Sequence, residues 1–167
     1  MNYEMITLRL LHIVFGVFWA GSAIFIAFIL QPRLRTLGPE IQAKVMGSLI
    51  TIMAPALITS AVITILAGMA LSIRLRWGQF DAFVNTGWGW AILLGFLVSI
   101  GALFSGIRTM ILIKRLTNLS SEIGDRSPTA KESEMLNRLR IRLPKLARST
   151  ATMVLIALVT MACARFV

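Results

Sequence analysis

The chain has 167 residues, 57% hydrophobic and only 14% charged, a balance that excludes an ordinary soluble domain and fits a single compact membrane bundle. Its net charge of +10 lies between long apolar runs. Those charges read as loop residues facing anionic lipid headgroups and setting orientation, not as a nucleic-acid surface.

Spanning a bilayer takes about 20 apolar residues. Four runs meet that need, over about 5–30, 45–73, 87–113 and 147–166, within one domain covering 1–167. The first, with Leu10–Leu30 as its apolar centre, is too long for a signal-peptide core and is expected to be a retained transmembrane helix. It carries the chain's single histidine, His12, with Arg9 before it. Residues 31–44 form a connection with Arg33, Arg35 and Lys44. The second run has Pro55 near its middle, where a kink is expected. The connection 74–86 holds Arg74, Arg76, Trp77 and Asp81. The third run carries Arg108 towards its end.

Residues 114–148 form the longest link. Within it Thr129 and Glu132 have the spacing of a capping box. Met135, Leu136, Leu139 and Leu143 then recur at helical intervals among arginines. This predicts a basic amphipathic helix before the last span, lying on the membrane and ended or bent at Pro144, or else a cytosolic extension of that span.

Twelve Lys and Arg residues fall on the first and third connections, against Arg9, Arg74, Arg76 and Arg165 on the other side. The first and third connections are therefore expected in the cytoplasm, with both termini outside a plasma (inner) membrane. Trp77, Trp88 and Trp90 fit an aromatic belt on the outer face. Small-residue stripes on each run (Gly16, Ala20, Ala23 and Ala27 on the first; Ser60, Thr64 and Gly68 on the second) predict closely packed helices. The fold class is thus all-α, an integral membrane four-helix bundle.

Phosphate loops, dinucleotide fingerprints and Ser–His–Asp sets are absent from the sequence, and the seven acids lie outside the apolar runs. With one cysteine, Cys163, no intrachain disulfide or zinc-type cysteine cluster is possible. The outer third of the bundle holds the candidate chemistry. Met5, Arg9, His12 and Gly16 share a helix face. Met69, Met161 and Cys163 come to similar depth on the second and fourth runs. An imidazole, thioethers and a thiol are soft ligands that suit copper(I). His and Met are also axial ligands of haem iron, and Arg9 could meet a propionate. Packing methionines, a snorkelling Arg9 and a histidine bonded to a neighbouring helix are the plain alternatives.

The stretch "LLHIVFGVFWAGSAIFIAFILQPRLRTLGPE" resembles the first helix of the copper resistance D (CopD) type of membrane protein. The likeness rests on His12, Trp19 and Gly21, with Pro32-Arg33-Leu34 at the inner end. It is also similar to the HemJ-type protoporphyrinogen oxidases, which place such a pattern on a four-helix haem-binding scaffold. The resemblance covers residues 8–40. It implies His12 as a metal or haem ligand, in metal handling or electron transfer. Two other functions stay open: a membrane oxidoreductase of protoporphyrinogen-oxidase type, and a non-catalytic assembly subunit of a larger complex or homo-oligomer.

Overall fold

A computed structural model describes residues 2–75, 81, 85–124 and 126–166, with no side-chain description at 39, 40, 43 and 165. Arg76, Trp77 and the side chain of Arg165, assigned above to the outer face, lie outside the described residues. The described residues form four long helices: α1 (Tyr3–Thr36), α2 (Pro39–Leu75), α3 (Gly87–Ile123) and α4 (Ala130–Cys163). A short 3-10 turn, Ala164–Phe166, follows. Each helix is about 50–55 Å long at 1.5 Å per residue, and all four are long and apolar enough to cross a membrane.

The helices outrun the apolar segments that predict them, and prolines show why. Pro32 has no N–H to donate and its ring crowds the carbonyl four residues back. The chain absorbs it by widening into a π-turn over Ile26–Leu30, where the Gln31 N–H donates to the Ile26 carbonyl. Helix α1 then runs on to Thr36, so most of the expected 31–44 connection is helical. The turn to α2 is just Leu37 and Gly38, and Gly38 takes a φ of +92° that L side chains rarely adopt. Pro55 is likewise carried inside α2.

The basic amphipathic segment is continuous with the last apolar run. It is not a separate helix ended at Pro144, because α4 passes through that proline without interruption. Leu139, Leu143, Pro144 and Ala147 are buried, so packing outweighs the one missing backbone bond. The start of α4 is capped as expected. Thr129 Oγ1 accepts from the Glu132 N–H, while the Glu132 carboxylate accepts from the Thr129 N–H at 2.8 Å. Arg126 closes a bidentate pair on the same carboxylate at 2.6 and 2.9 Å. That guanidinium first, then the Thr129 amide and hydroxyl, hold the Glu132 carboxyl down at about 2.

Pairings fix the topology. Along α1 and α2, Glu4 meets Arg74, His12 meets Gly68 and Gly16 meets Thr64. Along α3 and α4, Gly95 meets Met161, Gly101 meets Met153 and Ser105 meets Thr150. In each set one number rises as the other falls, so both pairs are antiparallel. These two hairpins are the most extensive contacts; α2 on α3 and α1 on α4 close the ring. The result is an up-down-up-down bundle with His12, Arg74, Trp88 and Met161 towards one end. The other end gathers Arg33, Arg35, Lys44, Lys114 and Arg115.

Small residues do the close packing. Ala20, Ala61, Ala102 and Val154 surround Trp19 at the centre, and Ala27, Ala147 and Ala151 form a second cluster towards the basic end. Outward faces are apolar too: Val17, Leu97, Phe104 and Val159 are all more than half exposed. Only 17–22% of each apolar window is buried within the bundle. The helices therefore show outward far more apolar surface than a water-exposed monomer carries.

A hydroxyl pair links α3 to α4. Thr150 Oγ1 donates to the Leu146 carbonyl at 2.9 Å, so Ser105 is the donor in the 2.7 Å bond between the two hydroxyls. Thr150→Val is expected to lower stability by about 1 kcal/mol or less, the usual size of such interhelical bonds. A detergent-unfolding titration against the parent chain measures it.

Candidate functional site

His12 sits three turns into α1, half-buried against α2. Its Nδ1 lies 2.8 Å from the Thr64 carbonyl oxygen. A carbonyl oxygen accepts and cannot donate, so the proton is on Nδ1 and Nδ1–H is the donor. In the neutral ring this leaves the lone pair on Nε2, the atom that can ligate a metal or accept a proton. Histidines that ligate metals are commonly fixed this way, by a backbone carbonyl on the other nitrogen.

The ring has a slot made for it. A β-carbon at Gly68 would stand 2.7 Å from Cε1 and 2.8 Å from Nδ1 of His12. No side chain larger than hydrogen fits there with the imidazole in place. Gly16, one turn on from His12, plays a lesser part. A β-carbon there would come 3.3 Å from Thr64 Cγ2, so its absence lets α1 lie close to the Thr64 turn. Thr64 turns its own hydroxyl back to the Ser60 carbonyl at 2.7 Å, leaving its carbonyl oxygen to the histidine.

His12 lines a cavity of ≈ 550 Å³ walled by all four helices in this half of the bundle. Most of the wall is apolar. Its polar groups include His12, Thr64, Ser72, Trp88 and Ser99. Met69 from α2 and Met161 from α4 line the same space. Met161 packs over Gly95, whose missing side chain admits it: a β-carbon there would stand 3.0 Å from Met161 Cγ. At the mouth of this half, Arg74 reaches Glu4 through two nitrogens, tying the end of α2 to the start of α1.

Three of the six residues singled out in the sequence thus share one cavity: His12, Met69 and Met161. Met5, Arg9 and Cys163 do not line it; Arg9 and Cys163 are exposed and Met5 is half-buried. Among the described residues no group of three or more His, Cys, Asp or Glu side chains converges as a metal site. Any metal here would rely on the imidazole and sulfur or on a ligand it brings.

Two features escape the sequence reading. Gly68 is visible there as part of a packing stripe, but not as the slot for His12. Gln31 closes the first apolar run and reads as a loop residue. It is buried at 6% exposure, with its Oε1 unpartnered, in a smaller cavity towards the basic end. Trp19 lines both cavities. No family model, curated protein or solved structure matches the chain.

Proposed function

We propose that the chain is a multi-pass membrane protein that binds haem or copper in its His12 cavity, in metal handling or electron transfer. The observation that carries this is the pairing of His12 Nδ1 with the Thr64 carbonyl, which leaves the Nε2 lone pair available for ligation on a ring lining a roomy apolar cavity. The CopD-like and HemJ-like pattern of His12, Trp19, Gly21 and Pro32-Arg33-Leu34 supports the same assignment.

Haem is the better fit by size. Organic ligands occupy cavities of about 300–1,000 Å³, and ≈ 550 Å³ falls inside that range. His12 would hold the iron, with the thioether of Met161 or Met69 as a candidate second ligand. When bound, haem iron supplies one-electron chemistry. The protein's own part is to orient the imidazole through Thr64 and Gly68, and to keep water out with apolar walls. Copper(I) is supported by the same two thioethers beside an imidazole.

Membrane insertion is supported by the four long apolar helices and their outward Leu, Ile, Val and Phe side chains. We place the basic end in the cytoplasm, where Lys and Arg accumulate, and the His12 cavity in the outer half of the bilayer. Helices α3 and α4 exceed the ~30 Å hydrocarbon core, so their basic ends project among and beyond anionic headgroups.

The test is a titration of the full chain in lipid nanodiscs with haem and, separately, with copper(I). His12→Ala is expected to weaken binding of the true ligand at least about 100-fold. Binding of neither ligand, or equal binding by His12→Ala, would overturn the proposal.

A further inference from the structure

We infer that the cavity in the basic half of the bundle is a second binding site, for a small aromatic ring carrying a hydroxyl, with Gln31 Oε1 as the hydrogen-bond acceptor. The inference is independent of what His12 binds.

Gln31 is 94% buried by its 6% exposure, and its Oε1 has no hydrogen-bond partner. Buried amide oxygens are nearly always satisfied, and one that is not carries the full desolvation penalty. The π-turn holds the residue in place: the Gln31 N–H is anchored on the Ile26 carbonyl, just before Pro32. The side chain lines a cavity of ≈ 120 Å³ bounded by α1, α2, α3 and α4.

No donor of the wall reaches Gln31 Oε1. The two hydroxyls are spent on their own helices, Thr109 on the Ser105 carbonyl and Thr150 on the Leu146 carbonyl, both at 2.9 Å, and the Trp19 indole N–H lines the space without meeting the amide oxygen. The donor must come from an occupant. The rest of the lining selects the kind of occupant. Met46, Met53 and Met110 present three thioethers, and Trp19 lines the same space. Sulfur packs favourably at the edges of aromatic rings, and Trp19 adds an aromatic neighbour. An apolar cavity of about 150 Å³ takes one benzene ring. The ≈ 120 Å³ here is somewhat smaller, and the flexible Met46, Met53 and Met110 side chains can give way to a single small ring; a phenol brings the missing O–H.

Gly106 gives a clean control. It lines this cavity, and a β-carbon there would meet nothing within 4 Å. A larger side chain at 106 grows into the empty space without displacing a neighbour at its base.

The experiment titrates 4-fluorophenol and 4-fluoroanisole into the full chain in nanodiscs, read by fluorine NMR against empty nanodiscs. The two probes share a ring, but only the phenol donates. The phenol is expected to bind saturably and roughly three- to tenfold more tightly than the anisole, the worth of one hydrogen bond. Gln31→Leu is expected to remove that preference and Gly106→Val to block both probes. Absence of saturable phenol binding overturns the inference, as does equal affinity for the two probes. So does a preference that survives Gln31→Leu. Should Gln31→Leu fail to fold, the ratio measured on the parent chain decides alone.

Discussion

Gly68→Ala is expected to cripple ligand binding at His12 while leaving the bundle intact. Its new methyl would stand 2.7 Å from Cε1 and 2.8 Å from Nδ1 of the imidazole, well inside van der Waals contact. Neither side can yield cheaply: the methyl is fixed to the α2 backbone, and the ring is held by the Thr64 carbonyl. The imidazole must swing out, losing its Nδ1–H bond and the orientation of Nε2. Loss of such an orienting contact costs about 10–100-fold in affinity. Fold stability moves in two opposing ways. Alanine favours the helix by about 1 kcal/mol over glycine, which offsets part of the repacking cost. Affinity and unfolding midpoint measured on the same preparation separate the two effects. Unchanged affinity would show that the slot at Gly68 does not position the histidine. Gly106→Ala, which meets nothing within 4 Å, is the matched control and should bind as the parent does.

Trp19→Ala has the largest expected effect on stability. Trp19 is the bulkiest side chain of the central cluster, packed with Ala20, Ala61, Ala102 and Val154 at 7% exposure. Its fully buried neighbours are mostly alanines, which cannot fill the gap; only the partly buried Leu57, Ile65, Leu103 and Met153 around the cluster can relax towards it. Truncating a buried tryptophan costs about 3–5 kcal/mol, more where the site cannot collapse. Removing it also takes away a wall residue of both cavities. Trp19→Phe, which keeps a ring, should cost much less. Reversible unfolding in a graded denaturing detergent checks both. Equal midpoints for Trp19→Ala and the parent would show that the centre is not organised around this ring.

Four helices are legible in the sequence because 20-residue apolar runs have few other meanings. The small-residue stripes are legible as well; Ala20, Ala27, Ser60 and Thr64 are buried where the stripes predict. The helix ends are less so, and proline is the reason. Pro32 and Pro144 carry a strong local stop signal. A π-turn overrides it at the first, and packing of Leu139, Leu143 and Ala147 at the second. Neither override leaves a mark that one chain's pattern shows.

The site divides in a similar way. His12 stands out as the lone imidazole in an apolar run, and its height in the bundle follows from counting turns. Its partner does not stand out, because the partner is a backbone carbonyl and any residue type at 64 supplies one. The sulfur ligands show the limit of counting by depth. Met69, Met161 and Cys163 are at similar height, but only the two methionines turn into the cavity. Direction around the helix axis decides this, and it depends on how α2 and α4 roll against their neighbours. Gln31 is the opposite case: a glutamine beside a proline reads as a helix exit until the π-turn carries it inward.

His12 Nε2 is the proposed ligand of haem iron or copper. The most direct measurement is the absorption spectrum of the full chain purified from membranes, paired with elemental analysis and the same preparation of His12→Ala. The prediction is a porphyrin spectrum with iron, or copper without porphyrin, near one equivalent per binding site and lost in His12→Ala. Protein free of both, from cells supplied with haem and copper, would contradict it. So would a spectrum and metal content that survive the loss of the imidazole.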